Sequence, residues 1–255
     1  MMKSVNVRNV TIGNGRPKIC VPIVNKDREG ILAEAASFAD LPVDIVEWRA
    51  DWYEEAADTE KVLETAKALR ETLGDTPILF TFRTLKEGGA RAIEPEDYVA
   101  LNIAVAESGF ADLIDVEMFS GDEPVKQVIE AAHRKQVRVV GSNHDFHKTP
   151  EKEEMIKRLC RMQELGADIP KIAVMPLTRW DVLKLLEATL EMEEKYADRP
   201  IVTMSMAGTG VVSRLSGEIF GSAMTFGSAT NVSAPGQVDV CELDQILNVI
   251  HKSLG

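Results

Sequence analysis

Eight short apolar runs recur along the chain, each bounded by turn-forming residues. They are KICVPIV (18–24), VDIVEWR (43–49), PILFTFR (77–83), ADLIDVEMF (111–119), VRVVGSNHDF (137–146), KIAVMP (171–176), RPIVTMSM (199–206) and SAMTFGS (222–228). Their length and β-branched content predict strands covered on both faces. Between them, apolar positions recur with the period of a helix. In EKVLETAKALRETLG, Val62, Leu63, Ala66, Leu69 and Leu73 fall on one stripe, and Gly74 supplies a stop. TPEKEEMIKRLCRMQELG reads as a second helix, with Thr149 as its cap, Pro150 in its first turn and Gly166 at its end. DVLKLLEATLEMEEKY (181–196) has the same character. Strands and helices alternating in this number predict a single α/β domain over residues 1–255, a (β/α)8 TIM barrel. The first run is followed by NKDREG and not by a glycine-rich fingerprint, which disfavours a doubly wound sheet. VNVRNVTIGNG predicts a short N-terminal β-hairpin, placed across the lower end of the barrel.

Composition narrows the function classes. With 29 Lys and Arg against 41 Asp and Glu, the formal charge is −12, which argues against nucleic acid or an anionic membrane as partner. Cys20, Cys160 and Cys241 are odd in number and far apart, so neither a disulfide framework nor a zinc ribbon is expected. MMKSVNVRNV has no apolar core of a signal peptide, and no run reaches membrane-spanning length. The expected location is cytoplasmic.

Charged residues inside buried strands need a reason, and here they share one position. Glu47 and Arg49 come late in the second run, two residues apart and so on one face. Asp115 and Glu117 do the same in the fourth, Ser142 and His144 in the fifth, and Arg83 ends the third. In a barrel all of these reach the carboxyl-terminal rim, where active sites form. Singly, each pair reads equally well as an ion pair closing the barrel. Lys171 opens the sixth run and shares its face with Ala173 and Met175. An amine at such a place can form a Schiff base with a ketone, although a lysine that snorkels to solvent is the plainer alternative. SNHDFHKTP (142–150) holds two of the four histidines. Residues three apart on a strand point to opposite faces, so His144 and His147 do not form a metal pair. His144 is a plausible acid–base group, and His147 a loop residue. Two loops follow the last runs: AGTGVVSRLSG (207–217), read as a flexible connection carrying Arg214, and GSATNVSAPGQ (227–237), read as a mobile loop carrying Ser233 and Gln237.

These residues spell a pattern. EWR (47–49), TFRTLKEGG (81–89), SNHDFHKTP, KIAVMP, TMSM (203–206), SRLSGEIFGSAMTFGSA (213–229) and SAPGQ (233–237), in this order, resemble type I 3-dehydroquinate dehydratase. The resemblance implies conversion of 3-dehydroquinate to 3-dehydroshikimate, on the shikimate route to chorismate and the aromatic amino acids, without metal or organic cofactor. It implies that Lys171 is the Schiff-base lysine, His144 the acid–base histidine and Glu87 the residue that orients it. Arg214 would bind the substrate carboxylate, with Glu47, Arg49, Arg83, Ser233 and Gln237 as further substrate contacts. A homodimer is also implied. Leu177 departs from the pattern, where glutamine is common, and Ala207-Gly208 falls where the family varies. A Schiff-base class I aldolase on the same barrel, and a non-catalytic small-acid-binding protein, are the competing readings.

Overall fold

The computed structural model describes residues 4–229 and 236–255. Strands β1 (Val5–Val7) and β2 (Val10–Ile12) form an antiparallel hairpin. Eight parallel strands follow: β3 (Lys18–Ile23), β4 (Ile45–Arg49), β5 (Ile78–Thr81), β6 (Leu113–Glu117), β7 (Arg138–Asp145), β8 (Ile169–Val174), β9 (Val202–Ser205) and β10 (Met224–Ser228). Seven of the predicted runs contain one of them whole; the sixth, 171–176, misses the first two residues of β8. They pair in the order β10-β3-β4-β5-β6-β7-β8-β9. A bridge from Ile201 to Ser222, with the Ala223 N–H donating to the Ile201 carbonyl at 2.8 Å, joins β9 to β10 and closes the barrel. The two-residue β11 (Val238–Asp239) lies parallel to the end of β10.

Helices α1 (Arg28–Ala36), α2 (Thr59–Leu73), α3 (Pro95–Ser108), α4 (Asp122–Arg134), α5 (Lys152–Leu165) and α6 (Arg179–Lys195) fill the crossovers. The short α7 (Val211–Leu215) and α8 (Gly217–Phe220) stand between β9 and β10, and α9 (Val240–Leu254) ends the chain. In α2 the buried side chains are Val62, Thr65, Ala66 and Leu69, Asp58 caps the first turn and Gly74 the last. That is the predicted stripe with its edges, Leu63 and Leu73, half-buried.

Two local expectations need correcting. Thr149 does not cap α5: its hydroxyl donates to the Met175 carbonyl at 3.0 Å, the cap is Glu151, and Pro150 precedes the first turn. The hydroxyl serves the neighbouring strand end, so the helix begins later. The 207–217 segment is not an irregular connection but a tight turn running into α7, with Ser213 Oγ donating to the Gly210 carbonyl at 2.7 Å.

The barrel interior is layered. Val7 and Ile12 of the hairpin pack on Ile45, Leu79, Leu113, Val140 and Ile169, so the hairpin closes the lower end with an apolar layer. Strand parity then lifts the same inward face two residues at a time. Above Ile45 come Glu47 and Arg49; above Leu113, Asp115 and Glu117; above Val140, Ser142 and His144; above Ile169, Lys171. The lower rim is tied by a repeated device. Asp44, Asp112 and Asp168, each just before a strand, accept the N–H of Ile19, Ile78 and Val139 at 2.8, 2.9 and 2.8 Å. Ser222 Oγ does the same for Thr203 N–H at 3.0 Å. Each bond joins the start of one strand to the start of the next, fixing the register that stacks these layers.

Candidate active site

Lys171 is the third residue of β8, not its first, and is only 4% exposed. Pro170 carries no N–H, so it reads as a strand boundary in sequence; here the strand runs through it. The lysine therefore projects into the barrel. Its Nζ lies 3.4 Å from Asp115 Oδ2 and 4.7 Å from the centre of the Phe226 ring. Arg83, just past β5, organises the neighbouring charges. Its guanidinium lies 2.7 Å from Asp115 Oδ1 and donates to Glu117 Oε1 at 3.0 Å and Ser142 Oγ at 2.9 Å. Ser142 Oγ in turn donates to Asp115 Oδ1 at 2.6 Å. Burial by itself would raise the pKa of Asp115, but Arg83, Lys171 and the Ser142 hydroxyl together hold it below the ordinary aspartate value.

Glu87 sits on a short turn, Leu85–Glu87, that Gly88 ends with φ +80°. A Cβ at Gly88 would lie 2.4 Å from the Phe146 ring, so close packing and backbone sign both require glycine there. Glu117 anchors the start of this loop by accepting from Thr84 N–H at 2.8 Å and Thr84 Oγ1 at 2.7 Å. Glu87 Oε2 faces His144 Nδ1 at 2.9 Å and accepts the His144 backbone N–H at 2.9 Å. Burial pushes the Glu87 carboxyl up to about 7, with Arg83 opposing. Burial, and then the positive charges of Arg83, Lys171 and Arg49, hold the His144 imidazole well below its usual pKa. At neutral pH the imidazole is therefore neutral, with Nε2 facing away from Glu87.

Glu47 Oε1 accepts the Thr81 hydroxyl at 2.9 Å. Arg49 is held by two parallel hydrogen bonds to Asp51, both 2.8 Å. Arg214 lies on α7, 2% exposed, and burial lowers its guanidinium to about 10. A cavity of about 210 Å³ brings together Glu47, Arg49, Arg83, Glu87, His144, Lys171, Arg214 and Gln237, with Phe146, Met204, Met206 and Phe226 as apolar walls. Ser233 lies outside the described residues. A larger cavity of about 600 Å³ opens at the opposite end, beside Arg8, His133 and Asp168. Its one lysine, Lys135, is exposed to solvent and is not placed with the Glu87–His144 pair, so the smaller cavity, which holds the buried Lys171, is the candidate site.

His147 lies just past β7, its N–H donating to Asp145 Oδ1 at 3.0 Å, and is exposed. Among the described residues no group of three His, Cys, Asp or Glu side chains could hold a metal ion. The cavity presents a buried amine beside a buried imidazole–carboxylate pair, ringed by arginines. That combination suits imine chemistry on a small ketone bearing a carboxylate.

The family model for type I 3-dehydroquinase matches residues 19–254. The chain belongs to that family. The 3-dehydroquinate dehydratases of Clostridioides difficile and Bacillus licheniformis are each 56% identical over 254 residues, covering all of both chains. The crystal structure of the Clostridium difficile type I 3-dehydroquinate dehydratase with covalently modified comenic acid superposes with a TM-score of 0.97, at 56% identity, over 99% of this chain and 100% of that one. As a type I 3-dehydroquinase, the chain carries site residues that its sequence pattern left unassigned. Asp115 and Glu117 were visible as a pair on one face, but their partners lie on other strands. Asp51 and Phe226 have no local signal: the first is defined by Arg49 and the second by Lys171.

Proposed function

We propose that this chain dehydrates 3-dehydroquinate to 3-dehydroshikimate through an imine on Lys171, within aromatic amino-acid biosynthesis. The observation that carries the reading is the buried Lys171 amine in one cavity with the Glu87–His144 pair. The amine adds to the ketone carbon, and water leaves to give an iminium. Asp115, kept ionised 3.4 Å away, offsets that charge. The iminium accepts the electrons released when His144 removes the adjacent proton. Those electrons then expel the β-hydroxyl, which takes the proton back from His144 and departs as water. A histidine whose pKa is depressed gives its proton up readily, which suits the second step. Hydrolysis of the imine releases product and restores the amine.

Glu87 accepts a hydrogen bond from Nδ1–H and so leaves Nε2 unprotonated and free to act as base. Arg214 is the proposed clamp for the substrate carboxylate, and Glu47, Arg49, Arg83 and Gln237 the contacts for its hydroxyls. Ser233 is assigned a substrate contact from the SAPGQ motif alone. The proposed assembly is a homodimer in the cytoplasm, which the family resemblance supports. No helix among the described residues is long and apolar enough to cross a membrane. Incubating the protein with 3-dehydroquinate should produce the ultraviolet absorbance of a conjugated enone, and Lys171→Ala should abolish it. Turnover at the wild-type rate in that variant would sink the assignment.

A further inference from the structure

Behind the Glu87–His144 pair runs a polar chain that the reaction scheme does not use. Asn143 points away from the cavity, between Glu87 and α5. Its Nδ2 donates to Glu87 Oε1 at 3.2 Å, and its Oδ1 accepts from Arg158 NH1 at 3.0 Å. Arg158 is fixed in turn by its Nε, which donates to Glu154 Oε1 at 2.8 Å one turn earlier on α5, and by the Phe119 ring, 5.9 Å from its guanidinium carbon.

The chemistry of these groups makes the arrangement directional. A guanidinium has only donors, so the Asn143 atom it meets must be the oxygen. The amide NH2 must then face Glu87. A donor aimed at a carboxyl group favours its ionised form, and an oxygen aimed there would favour the acid. We propose that Asn143 and Arg158 are positioning residues: Arg158 locks the Asn143 amide with its NH2 group toward Glu87, and this keeps Glu87 an acceptor for His144. A protonated Glu87 would instead donate to Nδ1, move the imidazole proton to Nε2 and remove the base. The other charges acting on Glu87 are Arg83, 3.6 Å away, and Asp115 and Glu117 of β6; Arg49 and Lys171 act on His144. Burial has brought the Glu87 carboxyl up to about 7, so the balance is set where a single hydrogen bond moves it.

The inference rests on the dehydratase reading and is tested by pH profiles of kcat for 3-dehydroquinate. Arg158→Met keeps the stem over Phe119 and frees the amide to turn; Asn143→Leu removes the donor. Both should move the acid limb upward by about one pH unit, the size expected for a hydrogen bond to a charged group. Rates should recover above the new limb, with KM changed little. Arg158→Lys, which restores a donor to Oδ1, should return the limb toward the wild-type position. Arg161→Met, at a half-exposed arginine of the same helix whose ion pairs are with Asp122 and Glu164, should leave the profile in place. An unmoved limb in both Arg158→Met and Asn143→Leu overturns the proposal. So does a loss of rate that is equal at every pH, which would mark a structural role only. Absence of turnover in the wild-type protein would instead overturn the dehydratase reading.

Discussion

Asp115→Asn tests whether the charge layer above the apolar plug is coupled as described. Asp115 is wholly buried, with Arg83 2.7 Å from one oxygen and Lys171 3.4 Å from the other. Asparagine has nearly the same shape but carries no charge, and one of its two terminal atoms becomes a donor facing a cation. Removing one partner of a buried ion pair costs about 3–5 kcal/mol. Arg83 keeps Glu117 at 3.0 Å, whereas among the described residues Lys171 makes no other ion pair. The loss should therefore sit near the lower bound, about 3 kcal/mol. In a chain of this size that lowers Tm by about 6–12 °C, read by calorimetry or circular dichroism. The pH dependence has a definite sign. The folded-state pKa of Asp115 is depressed, so its contribution is present above the unfolded value and is lost as pH falls through the folded one. The gap between wild type and variant should be full at pH 7, and should narrow only below about pH 4. Asp75→Asn, at an exposed partner of Arg8, should leave Tm unchanged. A Tm loss under about 2 °C for Asp115→Asn, or a gap that closes between about pH 7 and 5, would refute the coupling.

Three further outcomes follow from the site. His144→Ala should lower kcat by about 10²–10⁴-fold while His147→Ala largely spares it, in steady-state assays; equal losses would undo the assignment of the base. Arg214→Gln should reduce kcat/KM by about 10–100-fold if the guanidinium clamps a carboxylate through charged hydrogen bonds, and a change below about threefold would remove it from that role. Gly88→Ala should lower kcat and destabilise the loop by about 1–3 kcal/mol, because the new Cβ meets the Phe146 ring and the backbone has positive φ. Unchanged activity and Tm would show that the loop accommodates a side chain.

The barrel was legible because its signals are local and repeated. Each strand is an apolar run, and parity alone put Glu47 with Arg49 and Ser142 with His144 on one face. What resisted reading depends on contacts between elements. Thr149 looks like a cap until the Met175 carbonyl is placed beside it. Pro170 hides the true start of β8, so Lys171 reads as a strand edge when it is a strand interior. Arg214 looks like a surface charge in a glycine-rich loop, yet α7 buries it. Asp51 acquires its role from Arg49 and Phe226 from Lys171, across a turn and a barrel respectively. The resemblance in motif added Glu87 and the individual roles, and the cavity gathers every site residue it named that lies among the described residues.

The central claim is a covalent imine at Lys171, and chemical trapping addresses it most directly. The protein is incubated with 3-dehydroquinate, reduced with borohydride, digested and mapped by mass spectrometry. A reduced ligand adduct on the peptide bearing Lys171, absent from the Lys171→Ala variant, is the predicted result. Full turnover with no adduct at Lys171, or an adduct on another lysine that persists in the variant, would contradict it.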